Sequence, residues 1–428
     1  MTALKNLWSK LWFRILSITL AVIIFIAAAL GITVACLWGD VISSVSSLTH
    51  LRERNDENNE GSVYSMRVKG GFYFDKFLEQ GGVSNDTELI NFITGNITKG
   101  LINVSIGESD VNCSAFMAKT PENSVLFARN YDFKKTNVCM TICDNPGKGR
   151  YKSFSTVDMN YIGMSPDEDV EGLLNKITCF AAPFAPLDGM NEKGLSCGIF
   201  MSYQGEDYSL NDSGTVATDQ KDSSKKNMTS TTMQRMILDY CATVDEAVEM
   251  ISSFNLHDSA KSSFHYMIAD ATGRSAILEW IPADGGTDLT DNDGSARVLT
   301  VTYNDDVTYD ALRGENDFPY QWITNFIVSG HDSYYASNDE KPGWDRYEHI
   351  YSRLKGNGGV FNDEQEAMSL LAEVGRRTFK PNGEAITVHS VVYNLTQKIV
   401  LWVANENYGD KTANYQYSFE TGKLTHMA

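Results

Sequence analysis

Positive charge is what this chain is short of. Its 36 lysines and arginines stand against 55 aspartates and glutamates, a formal net charge of −19. A nucleic-acid partner demands a basic face, so the balance argues against that class of function. The excess of acid fits a soluble, self-repelling domain exposed to solvent. Paired metal-binding cysteines are missing too. There are seven cysteines, an odd number. Cys139 and Cys143 make a CxxxC with no nearby histidine and no second pair, a weak zinc signal, and neither metal nor cofactor is expected. Those two could instead close a small disulfide outside the cell. Cys179, Cys197 and Cys241, each in apolar company, read as buried core residues.

Long apolar runs are absent with one exception, residues 15–38. At ~1.5 Å per residue, roughly 20 residues cross the hydrocarbon core of a bilayer, so this run suffices. Lys5, Lys10 and Arg14 precede it, and Asp40, Glu53, Asp56 and Glu57 follow it. That asymmetry puts the N-terminus inside and the remainder outside. A basic stub and transmembrane signal-anchor are therefore expected over 1–44. The rival reading is a cleaved secretory signal with Thr33-Val34-Ala35 as its small-residue site. Both readings export residues 45–428.

Residues 45–112 look unlike the rest. Residues 51–61 have a linker composition, and 86–94 have helical spacing with a cap at Ser84 or Asn85. A lead over 100–105 toward Cys113 follows, so the segment reads as a linker and short helical prosegment, or equally as a plain stalk. From 113 onward strands dominate. Hairpins are expected over 263–269 with 275–280 and over 387–393 with 398–403, and a single strand over 297–303. Strands over 180–184 and 195–201 flank a turn at Asn191-Glu-Lys-Gly194, and 204–227 is a polar solvent loop. Helices follow by period over 231–240, 244–251, 344–354 and 363–374. Hairpins with segregated helices predict an α+β layered domain on antiparallel sheets over 113–428.

Chemistry concentrates at the start of that domain. Two short strands, 116–119 and 124–128, surround a turn at Thr120-Pro121-Glu122-Asn123, where Pro and Asn suit a tight reversal. The hairpin brings its ends together, so Cys113, Arg129 and Asp132 should converge at one end of a sheet. A cation beside a thiol lowers its pKa, and the thiolate is the reactive form. The carboxylate can orient whatever base removes the proton.

Cys113, Phe116-Met-Ala-Lys-Thr120 and Arg129-Asn130-x-Asp132 resemble the start of the choloylglycine hydrolase family, N-terminal-nucleophile enzymes that include bile salt hydrolases and penicillin V acylases. The likeness runs through Asp188-Gly-Met-Asn-Glu-Lys-Gly-Leu195, Phe264-His-Tyr-Met-Ile-Ala-Asp-x-Thr-Gly273, Ser275-Ala-Ile-Leu-Glu279, Arg346-Tyr347 and the closing hairpin. The resemblance implies a four-layer αββα fold and hydrolysis of a linear amide C–N bond in a small acyl-amide substrate. It implies that Cys113, once first in the mature chain, is attacker and base together: its own α-amine, with a pKa of ~8, accepts the thiol proton. Arg129 would hold the thiolate and Asp132 would orient the amine or thiol. Counting from the motifs puts the oxyanion backbone donor at Met201, the oxyanion asparagine at Asn304 and a late arginine at Arg346. Asn191 is a candidate substrate contact, although Asn suits the turn in which it lies. Most relatives lose only an initiator methionine, so the 112 preceding residues require scission of the Asn112–Cys113 bond.

Two other readings stay open. One is an uncleaved, catalytically silent surface protein that binds ligands on the same fold. The other is a papain-like enzyme pairing an internal Cys113 with His265 or His389. The sequence leaves the acyl group, the amine and any homo-oligomer undetermined.

Overall fold

The computed structural model describes residues 2–98, 100, 112–204, 216–260, 262–283, 288–289, 293–306, 319–329, 334–335, 337–379 and 385–427. In chain order it opens with helix α1 (Thr2–Ser46), strands β1 (Thr49–Arg52) and β2 (Val63–Lys69), and helices α2 (Phe74–Glu79) and α3 (Asp86–Asn96). Four strands follow: β3 (Asn112–Lys119), β4 (Val125–Phe133), β5 (Val138–Asn145) and β6 (Ser153–Asp158). Helix α4 (Gly172–Cys179) leads to β7 (Asp188–Asn191), β8 (Ser196–Met201) and β9 (Lys226–Thr229). Helices α5 (Ser230–Tyr240) and α6 (Val244–Ser252) precede β10 (Phe254–His257), β11 (Phe264–Ala269), β12 (Ser275–Pro282), β13 (Arg297–Tyr303) and β14 (Trp322–Ile323). Helices α7 (Trp344–Asn357) and α8 (Glu364–Glu373) are followed by β15 (Ile386–Asn394), β16 (Ile399–Ala404), β17 (Asn414–Ser418) and β18 (Lys423–His426).

Two large sheets organise these elements. One has nine strands in the order β1-β2-β5-β6-β7-β8-β11-β12-β13, and the other seven in the order β14-β3-β4-β15-β16-β17-β18. They touch where β3 meets β8. Helix α5 lies on β7 and β8 of the first sheet, and α7 and α8 lie on β3, β4, β14 and β15 of the second. Strands β3, β4, β15 and β16 are buried along nearly their whole length, as expected of a sheet covered on both faces. The turn between β3 and β4 closes where the sequence expects it: Asn123 takes the left-handed conformation at φ 61°, which Asn tolerates better than most residues.

The segment before Cys113 is not a stalk. In β2, Tyr64, Met66 and Val68 are buried and alternate with half-buried Ser65, Arg67 and Lys69, the period of a strand with one face in the core. β2 pairs in parallel with β5 from Val63–Val138 to Lys69–Asn145. Ion pairs tie the same segment to the far end of the chain, Arg52 to Asp410 and Arg377 to Glu60. The linker expected over 51–61 is therefore an edge strand and a capped turn. Its charged residues serve ion pairs at a sheet edge, which is why composition alone hides them. Helix α3 does form where expected, capped by the Asn85 side chain on the Glu88 amide.

Helix α1 is long and apolar enough to cross a membrane over Trp12–Ala29, with that window exposed. Its last turns are docked: Val41, Ser44 and Val45 are buried, and Ser44 Oγ accepts a 2.7 Å hydrogen bond from the Lys69 amide.

One strand expectation and one disulfide expectation change. The strand before the Asn191 turn is Asp188–Asn191, while Ala182–Phe184 is a 3₁₀ turn opened by Pro183. The Cys139–Cys143 disulfide does not form, since both are free thiols in β5. Four residues along one strand separate them by ~13 Å, beyond the reach of an S–S bond. Of the loop expected over 204–227, residues 205–215 lie outside the described residues and the last two, Lys226 and Asn227, belong to β9. Of the lead over 100–105 only Gly100 is described.

Met66→Asp puts a charge in the core of β2 and should cost about 3 kcal/mol or more in stability. Urea unfolding of the whole chain reads this; a peripheral prosegment would leave the midpoint unmoved.

Candidate active site

The β3–β4 ladder sets the geometry. Cys113 stands directly opposite Tyr131 and Ala115 opposite Arg129, so alternation puts Cys113, Tyr131 and Arg129 on one face. That face looks at the nine-stranded sheet. Asn130 and Asp132 take the other face, against α7 and α8: Asn130 donates to Leu371 O and Asp132 pairs with Arg346. The thiol, guanidinium and carboxylate expected to converge do so, but Arg129 and Asp132 approach from opposite sides of the sheet.

Arg129 is fully buried and held at its two terminal nitrogens. It ion-pairs with Asp188, donates to Ile199 O at 2.7 Å and reaches Cys113 Sγ at 3.4 Å. Asp188, which sequence reasoning used only as one residue of a motif, also accepts from the Tyr393 hydroxyl at 2.6 Å and from His389 Nε2 at 2.7 Å. Burial alone would raise the Asp188 carboxyl, but His389 and Arg129 hold it down to about 2. This ionised Asp188 fixes the guanidinium that faces the sulfur.

Despite Arg129, the Cys113 thiol is pushed up to about 11. Burial is the largest cause, Arg129 pulls the other way, and Asp132 adds to the rise. With Cys113 inside an uncut chain, desolvation beats the neighbouring cation. The thiol is thus protonated at neutral pH.

On the other side, Asp132 Oδ2 accepts from Arg346 Nη1 at 2.6 Å, and Thr387 Oγ1 donates to Asp132 Oδ1 at 2.7 Å. Arg346 Nη2 donates to Asn325 Oδ1 at 2.8 Å. Asn325 Oδ1 also accepts the Cys113 backbone N–H at 3.2 Å, and Asn325 Nδ2 donates to Met201 O at 2.9 Å. A continuous chain of hydrogen bonds runs from Asp132 through Arg346 and Asn325 to the nitrogen of Cys113.

Asn325, not Asn304, is the amide at this cysteine. Asn304 serves a turn, accepting from the Ser275 amide and donating to Gly273 O and Pro319 O. The count from the motifs places the asparagine after β13, whereas the strand beside β3 is the two-residue β14. Asn325 lies just beyond it. Asn191 is likewise spent on its own turn, accepting from the Lys193 and Leu195 amides and donating to Leu238 O and Cys241 O. Met201 is brought to the site through its carbonyl and lines an apolar hollow. Asn112 opens β3, half-buried. His389 is stacked between Tyr131 and Trp402 with Nε2 on Asp188, and His265 is held by Glu279 and Thr324 O. Neither of these sets of partners includes the sulfur.

Two narrow apolar hollows lie beside the cluster. Tyr131, Leu187, Ile199, Met201 and Phe264 line the inner one. Leu89 and Ile93 of α3, with Ile162, Ala181 and Phe184, line the outer. Tyr161, Thr231 and Ser259 are common to both. Each has room for about one water, so in this closed form neither admits an acyl chain.

Residues 113–309 match the family model of the linear amide C-N hydrolases, choloylglycine hydrolase family, so the resemblance carried by Cys113, Arg129 and the Asp188 motif stands and an amide hydrolase is supported. Solved structures similar to this chain include a conjugated bile acid hydrolase from Clostridium perfringens, at 15% identity and a TM-score of 0.43, covering 74% of this chain and 96% of that one. A penicillin V acylase from Agrobacterium tumefaciens matches at 15% identity and TM-score 0.42, covering 73% and 90%. A Caenorhabditis elegans ortholog of N-acylethanolamine-hydrolyzing acid amidase matches at 15% and 0.37, covering 66% and 93%.

In the uncut chain, site-resolved mass spectrometry should find Cys113 alkylation still accelerating from about pH 9 to about pH 11, as a thiol raised in this way requires. Arg129→Met should push the thiol further up and slow labelling again. It also strands Asp188 without its cation, which should cost about 3–5 kcal/mol in chemical denaturation.

Proposed function

We propose that this chain is a single-pass membrane protein whose exported domain hydrolyses small acyl amides through Cys113, after the Asn112–Cys113 bond is cut. The observation that carries the reading is the double hold on one residue: Arg129 on the sulfur of Cys113 and Asn325 on its nitrogen. Such a hold on a peptide nitrogen gives a ready seat for the amine that scission would release.

In this reading residues 1–44 anchor, 45–112 are a prosegment that remains paired in the sheet, and 113–428 form the catalytic domain. The two large sheets with helices against each fit a four-layer αββα sandwich. Attack of the Cys113 thiol on the Asn112 carbonyl carbon would move the acyl group from nitrogen to sulfur and free the amine. Water would then hydrolyse that thioester to a carboxylate at Asn112 and the free thiol, the same acyl transfer used later on substrate. Scission exposes the cysteine to water and gives it an amine of pKa ~8. The amine takes the thiol proton, and the thiolate adds to the substrate carbonyl carbon. The oxyanion is met by the Asn325 amide, released from Met201 O. The proton passes to the leaving nitrogen, the C–N bond breaks, and water hydrolyses the thioester to the free acid. Arg129 favours the thiolate, while Asp132 and Arg346 hold Asn325. The apolar side chains of Ile199, Met201 and Phe264 suit an apolar acyl group once the hollow they line has widened to take one.

Cys113→Ala should keep the full-length chain intact and abolish turnover of an N-acyl amino acid, by intact mass and a hydrolysis assay. The wild-type product should begin at Cys113. An uncut wild-type chain that binds such amides without hydrolysing them would instead identify a silent ligand-binding protein. In the mature enzyme Asn325→Leu should lower kcat by roughly 10²–10³.

A further inference from the structure

Two stretches that stand out in the sequence, 264–273 and 275–279, place no side chain on Cys113. They form the β11–β12 hairpin, and one residue from each strand faces the segment that carries Asn325. His265 and Glu279 are both fully buried. His265 Nδ1 lies 2.9 Å from Glu279 Oε1, and His265 Nε2 lies 2.9 Å from the carbonyl oxygen of Thr324.

When Glu279 carries its charge, the carboxylate and the peptide carbonyl are both acceptors, and a ring with a proton on each nitrogen satisfies the two contacts together. Glu279 accepts three further hydrogen bonds: from the Val328 amide at 2.8 Å, from the Ser329 amide at 2.7 Å and from the Ser329 hydroxyl. The pair therefore grips the chain one residue before Asn325 and again three and four residues after it. Phe200 presents its ring edge-on to His265 and carries the Arg129 guanidinium over its own face. Tyr334 lies near Glu279.

The geometry points to His265 and Glu279 as positioning residues: a buried imidazolium–carboxylate pair that fixes residues 324–329 so that the Asn325 amide stays at Cys113. This rests on the reading of Asn325 as the oxyanion donor. Loss of one ring proton would set a lone pair against an acceptor and release either Thr324 or Glu279. The asparagine would then lose alignment while the apolar hollow at Met201 stays intact.

Two measurements test the pair. In the full-length Cys113→Ala chain, ¹⁵N-histidine NMR at about pH 6 should show a proton on both ring nitrogens of His265; one bare nitrogen would overturn the proposal. In the mature enzyme His265→Gln, whose amide can donate to only one of the two acceptors, should lower kcat by about tenfold or more with KM nearly unchanged. Should that variant not fold, Ser329→Ala removes a single contact to Glu279 and should give a smaller fall confined to kcat. A slow Asn325→Leu enzyme beside His265→Gln or Ser329→Ala at full kcat would sink the clamp alone. An Asn325→Leu enzyme at full kcat would sink the oxyanion reading and the clamp with it.

Discussion

A guanidinium with no water around it is stable only where carboxylate and carbonyl oxygens replace its hydration. Arg129 meets that condition between two sheets, and much of the site follows from it. Asp188 must be ionised, so Tyr393 and His389 converge on it from β15. Ile199 must turn its carbonyl inward from β8. The Nη2 that meets Ile199 O also points at Cys113 Sγ, while Nε meets no acceptor among the described residues. Replacing any one of these partners leaves a buried charge short of an acceptor, which ties β3, β4, β7, β8 and β15 to a single side chain.

The same burial keeps the cysteine quiet. A cation beside a thiol is commonly taken as activation, but here desolvation outweighs it and the thiol sits near 11. Position in the chain and access of water, more than the neighbouring arginine, govern whether this sulfur is a nucleophile.

How much of this can be read from the residues depends on range. The β3–β4 hairpin is legible because Pro121 and Asn123 mark its turn and alternation does the rest. The helices at 231–240, 344–354 and 363–374 are legible from period. Asp132 and Arg346 are legible as site members through resemblance, but not their meeting on the sheet's helical face, since a contact across 214 residues has no local signal. Asn325 escapes sequence reasoning because β14 pairs through only two residues, too short for any periodicity. A strand ahead of Cys113 is available in Tyr64-Ser-Met-Arg-Val-Lys69, whose strict alternation is overshadowed by the charged residues before it. Its parallel partner β5 lies beyond Cys113, and no local pattern announces a parallel pairing.

That pairing has a mechanical side. The last turn of α1 is fastened to β2 by Ser44 and Ser47, and β2 is held along seven residues by β5. A pull on the helix therefore reaches the sheet along its strands and loads the ladder in shear, so that its rungs resist together. Peeled from the side, the rungs would break in sequence, each bearing the whole load in its turn.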